Sequence, residues 1–318
     1  MSPCNEMKRL HVAAAAVCDA RGRVLIAQRP ASVHQGGLWE FPGGKLEQGE
    51  SARQALDREL QEELGIKVGS ARRLIRVRHD YPDKAVLLDV WRVGNFAGVP
   101  VGREGQPLEW VSLDDLAGYS FPAANIPIIK ALHLPDRYLI TPAPGNDLPA
   151  FIAALERSIR RGISLVQLRA KQLADADYRQ LAAAVAGVCR TANVRLLLNC
   201  EPHLVPELGA HGVHLTGPRL LELEQRPLDA GYLVAASCHS PEEVSHAGKL
   251  GLDFIVVSAV RETASHPGVA AIGFGGLQSL CDAAVMPVYA LGGMQEADIE
   301  MAWQCGAQGI AAIRGLWM

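Results

Sequence analysis

The chain has 318 residues, 49% apolar and 20% charged, with a formal net charge of −3, the profile of an ordinary globular protein long enough for two domains. No Lys/Arg run exceeds two residues, which argues against a polymeric nucleic-acid partner. No apolar run reaches the length of a membrane span, and the start MSPCNEMKRL lacks the apolar core of a signal peptide. Seven cysteines without a CxxC pair read as reduced thiols of a cytoplasmic protein.

In chain order, residues 11–19 read as a strand, Arg21-Gly22 as a turn and residues 24–29 as its partner strand. The run GKLEQGESARQALDRELQEELGI (44–66) follows. Within it Ala52, Ala55, Leu56, Leu60 and Leu64 form an apolar stripe at helical spacing over 51–64. Glu59, Glu62 and Glu63 stand at i, i+3 and i+4, so three carboxylates share one helix face. Like charges so close repel, and a hard cation with oxygen ligands removes the conflict. Mg²⁺ with substrate phosphate completing its shell fits that need, with Mn²⁺ as the alternative ion. Residues 72–79 and 86–93 then read as a hairpin around YPDK, 110–113 as a short strand and 125–132 as a helix.

Past a linker at 133–137 the rhythm changes. Eight short apolar strands (YLITPAP, SLVQLRA, RLLLN, GVHLT, YLVAASC, DFIVVSAV, PVYALGG and GIAAIRG) are separated by helix-like segments such as 147–161, 175–191, 241–250 and 295–304. Eight βα units favour a closed parallel barrel over an open doubly wound sheet. The barrel is compact, with roughly 180 residues against the usual ~250, and its last helix is expected to be short or absent.

The 44–66 run carries every fixed position of the Nudix box, and the region resembles a Nudix hydrolase of the MutT type. The resemblance implies metal ligation by Glu59, Glu62 and Glu63 with the Gly43 carbonyl. It implies that Arg58 holds the catalytic carboxylates, and that Glu50 is a base or a water-mediated ligand. LWEFPGGK (38–45, with Phe41), YPD (81–83, with Tyr81), GREGQPLEW (102–110) and FPAANIP (121–127) extend the likeness. They imply Glu104 as a distal metal ligand and Asn125 as the reader of an oxidised purine edge; an amide offers one donor and one acceptor together. Arg29 would lie near the phosphates or sugar. Lys84 stands where the MutT type has a different basic residue.

Residues 137–316 resemble thiamine phosphate synthase and its TenI-like relatives through QLRAK (167–171), LN (198–199), GVHL (212–215), SCH (237–239), ALGGM (290–294) and GAQG (306–309). The likeness implies a ligand site of Gln167, Arg169, Lys171, Asn199, His214, Ser237, His239, Gly292 and Gly293, with a thiamine-related phosphate as ligand. His239 is read either as an acid/base group of TenI type or as a satisfied rim histidine. The chain departs from the synthases at their metal-binding aspartates, where it carries Cys200 and Arg219. Ser265-His266 and Arg314 replace a lysine and a serine. The cup is expected to be kept and its metal site lost.

The resulting expectation is α/β throughout: a Nudix α/β/α sandwich with a mixed sheet at 1–132, a linker at 133–137 and a compact (β/α)₈ barrel at 138–318. The expected function is Mg²⁺-dependent hydrolysis of 8-oxo-dGTP to 8-oxo-dGMP and pyrophosphate, a nucleotide-pool sanitation and DNA-repair role. The alternatives are a thiamine-pathway enzyme that cleaves a damaged thiamine or pyrimidine diphosphate, and a barrel that only senses ligand or dimerises.

Overall fold

The computed structural model describes residues 9–32, 35–82, 84–263 and 270–318. Cys4, Asp83, Ser265 and His266 lie outside the described residues. Packing divides the chain into two units, Met1–His133 and Leu134–Met318.

The first unit runs β1 (Leu10–Val17), β2 (Val24–Gln28), β3 (Trp39–Glu40), β4 (Gly43–Lys45), α1 (Ala52–Leu64), β5 (Lys67–Val68), β6 (Ala71–Asp80), β7 (Ala85–Val93), β8 (Phe96–Ala97), β9 (Leu108–Val111) and α2 (Ile126–His133). Its main sheet has the order β4-β1-β7-β6 and is mixed: β1 pairs parallel with β7, while β4 and β6 run antiparallel to their neighbours. β1 is buried on both faces. Ala14 and Ala16 pack with Ile128, Ala131 and Leu132 of α2, whereas Ala13, Ala15 and Val17 pack with Leu56, Leu60 and Leu64 of α1. Alternation of side chains along a strand produces this two-sided core, and the small alanines let both helices approach.

The segment after the Arg21-Gly22 turn is not the sheet partner of β1, because β2 pairs with β3 and β9 in a separate three-stranded sheet. Asp19 accepts bonds from the amides of Arg21 and Arg23 and swings the chain away after one bridge, Cys18 to Val24.

Helix α1 has well-defined ends. Ser51 and Gln54 form a capping box, and Gly65 closes the helix in the left-handed conformation. The fully buried Leu56, Leu60 and Leu64 anchor it; truncating such a side chain to alanine costs about 2–5 kcal/mol.

The second unit is a closed eight-stranded parallel barrel, β10 (Arg137–Ile140), β11 (Leu165–Leu168), β12 (Arg195–Leu198), β13 (Gly212–Leu215), β14 (Leu233–Cys238), β15 (Phe254–Val257), β16 (Val288–Ala290) and β17 (Gly309–Ala312), each hydrogen-bonded to the next and β17 to β10. The helices are α3 (Leu148–Arg160), α4 (Asp175–Thr191), the short α5 (Leu204–Glu207) and α6 (Gly217–Leu221), α7 (Pro241–Lys249), α8 (Gly273–Ala283) and α9 (Ile299–Gln304). Strands of three to six residues keep the barrel small. Its interior is filled by Tyr138, Phe254 and Tyr289, whose rings meet at 5.3–5.6 Å, together with Leu165, Leu197 and Ala311. The layer above is polar and opens at the C-terminal strand ends, where barrels carry their sites. The six described cysteines are free and buried.

Candidate functional site

The first unit gathers its carboxylates between α1 and the β3-β4 segment. Two glycines make room. Gly43 has φ 143°, and a Cβ there would lie 2.1 Å from the Ala13 carbonyl oxygen; a Cβ on Gly44 would lie 2.2 Å from the Glu59 carboxyl carbon. Only glycine lets this backbone touch both β1 and the acidic helix face.

Glu63 is the pivot of the cluster. The Gly43 amide donates to its Oε2 at 3.1 Å. Burial pushes its pKa up to about 8, and Glu59, Glu104 and Glu40 add to the rise against the lowering Gly43 bond. Glu59 is also largely buried, and Glu62 is 61% exposed. Arg58 spans the group: it donates to Glu50 at 2.9 and 3.0 Å, Glu59 at 2.8 Å and Glu62 at 3.2 Å. These bonds raise Arg58 and hold Glu50 below its ordinary range. Glu50 therefore serves as the anchor of Arg58.

The loop after β8 delivers Glu104. The last carbonyls of a helix need partners, and here the loop supplies them. Val101 N–H bonds Leu64 O, Arg103 N–H and Gln106 Nε2 bond Glu63 O, and Arg103 Nη1 bonds Gln61 O. Gln106 Oε1 accepts from the Glu104 amide and holds that carboxylate near Glu63. Sequence reasoning weighed only Glu104 in this loop and missed Arg103 and Gln106. It also missed Glu40, whose carboxyl burial raises in spite of Arg29. Paired polar residues beside a motif were the available signal.

The donor set suits a hard divalent cation, since its ligand atoms are all oxygens and burial with the neighbouring carboxylates disfavours the charged form of Glu63. Among the described residues no three His, Cys, Asp or Glu side chains already converge tightly enough to hold a metal ion. Glu62 and Glu104 are the exposed members, hence the ones free to turn inward.

Beside the cluster, Phe41 stacks on Phe121 at 5.8 Å and is nearly fully buried. Asn125 is 8% exposed, and its side-chain amide has no hydrogen-bond partner among the described residues. The Tyr81 hydroxyl accepts from the Ala124 amide at 3.4 Å and so ties the YPD turn to the Asn125 loop; the Lys84 ammonium lies 5.9 Å from the Tyr81 ring centre. Arg29 is ion-paired to Glu40 beside the β2-β3 pair.

In the barrel, one cavity of about 890 Å³ collects eight of the nine expected ligand residues. Gln167, Arg169 and Lys171 come from β11 and the turn beyond it, Asn199 from just past β12, Ser237 from β14, His239 from just past it, and Gly292-Gly293 from the loop after β16. A Cβ on Gly292 would lie 2.9 Å from Ala259, so the glycine pair lets two mouth loops meet. His214 is the exception. It is 2% exposed and sits beneath the wall between Tyr138 and Ser237, with its pKa pushed down to about 3 by burial and by Arg169. His239 is half-exposed and lies 3.3 Å from Glu243, at the rim.

Cys200 and Arg219, the positions that the resemblance to the synthases marks out for a metal, do not suit Mg²⁺. The Cys200 thiol is buried, donates to the Glu201 carbonyl at 3.3 Å, and is pushed up to about 11 by burial. Arg219 is paired with Glu201. A neutral thiol and a guanidinium are not ligands for that ion. Lys171 is lowered by desolvation and by the nearby Arg169 and Arg219, and Arg314 also lines the cavity, as do Glu262 and Glu296.

Comparison with known proteins agrees with both geometries. Residues 13–131 match the NUDIX domain model and residues 137–316 the thiamine monophosphate synthase model. The first region is 40% identical over 126 residues to the 8-oxo-dGTP diphosphatase of Escherichia coli K12, covering 40% of this chain and 98% of that protein. It is 41% identical over 125 residues to the CTP pyrophosphohydrolase of the same organism, covering 39% and 92%. The second region is 33% identical over 179 residues to a thiamine-phosphate synthase of Thermus thermophilus, covering 56% and 86%. The chain belongs to the Nudix and thiamine monophosphate synthase families. It is thus a Nudix hydrolase fused to a synthase-family barrel. No helix among its described residues is long and apolar enough to cross a membrane.

Proposed function

We propose that the Nudix domain hydrolyses 8-oxo-dGTP to 8-oxo-dGMP and pyrophosphate with Mg²⁺, Mn²⁺ being the substitute ion. The observation that carries the hydrolytic reading is the carboxylate cluster on α1: the Gly43 amide holds Glu63 at 3.1 Å, Arg58 bonds Glu50, Glu59 and Glu62 at 2.8–3.2 Å, and the raised Glu63 carboxyl is suited to exchange its proton for a cation. A bound divalent ion supplies charge neutralisation on the phosphates and a lowered pKa for the attacking water. The protein's share is positional. Gly43 orients Glu63, Arg58 spaces Glu50, Glu59 and Glu62, and the Gln106 loop keeps Glu104 within reach. Base choice rests on Asn125, whose unpaired, nearly buried amide can meet a donor and an acceptor on one purine edge.

The barrel holds a small phosphorylated ligand through Arg169, Lys171 and backbone amides, and does not make thiamine phosphate by a metal-assisted route. The test is turnover of the full chain with Mg²⁺ against 8-oxo-dGTP, dGTP, CTP and oxidised thiamine diphosphate. A clear preference for 8-oxo-dGTP is expected. Equal rates on dGTP or CTP would remove the base assignment, and a preference for the thiamine compound would move the enzyme to thiamine metabolism.

A further inference from the structure

Beneath the barrel cavity three side chains form a hydrogen-bonded row. Tyr138 Oη lies 3.0 Å from His214 Nδ1, and His214 Nε2 lies 2.9 Å from Ser237 Oγ. Tyr138 is fully buried against Phe254 and Tyr289, and of the three only Ser237 reaches the cavity wall.

The direction of this row follows from counting protons. A phenol has one proton to donate, and among the described residues the only hydrogen-bond partner of the Tyr138 hydroxyl is His214. Pointing that proton anywhere else would leave a buried donor unsatisfied, which is costly. Burial keeps Tyr138 a phenol and His214 a neutral imidazole. With Nδ1 accepting, the single ring proton of His214 sits on Nε2 and is donated to Ser237 Oγ. The hydroxyl proton of Ser237 is then left for the cavity.

We propose that Tyr138 is a positioning residue that locks His214 as the Nε2–H tautomer, so that Ser237 presents its hydroxyl proton to a phosphoryl oxygen of the barrel ligand. The inference rests on the reading of the barrel as a phosphate cup. The opposite tautomer would turn a Ser237 lone pair toward the same oxygens and oppose them. The row therefore selects ligands whose group at this point is a pure acceptor, alongside the cations Arg169 and Lys171.

Two measurements on the full chain test it. Nitrogen-15 NMR of ring-labelled histidine, with His214 assigned by its loss in His214→Gln, should show a protonated Nε2 and a bare Nδ1 at neutral pH without ligand. A protonated Nδ1 overturns the proposal. Inorganic phosphate is then titrated with chelator present, which silences metal-linked binding, and followed at the His214 signals. Ser237→Ala and Tyr138→Phe should each weaken binding by about tenfold. Tyr138→Phe should cost nothing more in the Ser237→Ala background. An equal further loss there would show that Tyr138 acts through packing and would overturn the proposal. If Tyr138→Phe fails to fold, the wild-type tautomer still decides. If wild type takes up no phosphate in the barrel, the cup reading fails by itself, and the tautomer still decides the row.

Discussion

The two domains gather opposite charge at their candidate sites. The Nudix cluster concentrates Glu59, Glu104 and Glu40 around the Glu63 carboxyl, with the Arg58 guanidinium bonded to Glu50, Glu59 and Glu62. The barrel mouth concentrates Arg169, Lys171 and Arg314, and at the old metal positions it holds a buried thiol and another arginine. Acids around a phosphate site are useless without a cation, whereas arginines and lysines bind the oxygens directly. On the functions proposed above, the contrast is between metal-assisted chemistry in one domain and metal-free recognition in the other.

The largest effect that can break this contrast is loss of hydrolysis. Glu62 is mostly exposed and, among the described residues, bonded only to Arg58, so Glu62→Gln should leave the melting temperature unchanged. Its turnover of 8-oxo-dGTP should nevertheless fall on the order of 10³-fold, the scale of losing a principal transition-state contact. Chelation should abolish turnover in the wild type and leave phosphate binding by the barrel as it was. If phosphate binding also disappears with the metal, the two domains are alike and the contrast is wrong.

Asn125→Ala comes next. Sites built to hydrogen-bond one substrate edge lose discrimination when the partner is removed. The ratio of kcat/KM for 8-oxo-dGTP over dGTP should drop by about 10- to 100-fold, with dGTP turnover itself little changed. Equal losses on both nucleotides would make Asn125 a structural residue of its loop. In the barrel, Arg169→Ala should weaken inorganic phosphate by about tenfold, because a charge-assisted contact is removed. Its main-chain amide would still bond the Thr141 hydroxyl at 3.0 Å, so the strand end should hold its shape.

Motif spacing carried most of this architecture, since the Nudix box and eight βα units depend on local periodicity. The α1 stripe, the acidic face and all eight barrel strands were readable that way. What escaped the sequence was pairing decided at a distance. The Asp19 turn sends β2 into a second sheet, and Arg29 is taken by Glu40, two contacts that no window of neighbouring residues reveals. His214 stood on the inward side of its strand as expected, but one layer too deep to reach ligand, because Tyr138 and Ser237 close over its two nitrogens. Gln106 lay inside a recognised segment and went unweighed, since its job is to hold backbone and not substrate.

The smallest effect probes the acid cluster itself, in metal-free protein. The Glu63 carboxyl sits at about 8 in the fold, raised from an ordinary value near 4.5. Between those two pH values the native state holds a proton that the unfolded chain has released. Stability must therefore fall as pH rises through that window, in the direction opposite to a salt-bridged carboxylate. Glu63→Gln keeps the shape and removes the charge. It should leave the melting temperature unchanged at pH 5 and raise it by about 3 °C at pH 8, measured with chelator present. Mg²⁺ should stabilise the wild type more at pH 8 than at pH 6, because the ion displaces that proton, and should stabilise Glu63→Gln much less at either pH. If the difference between Glu63→Gln and wild type is the same at pH 5 and pH 8, Glu63 is already relieved by solvent or by a neighbour. The strain assigned to the cluster would then be absent, and with it the charge argument for a cation.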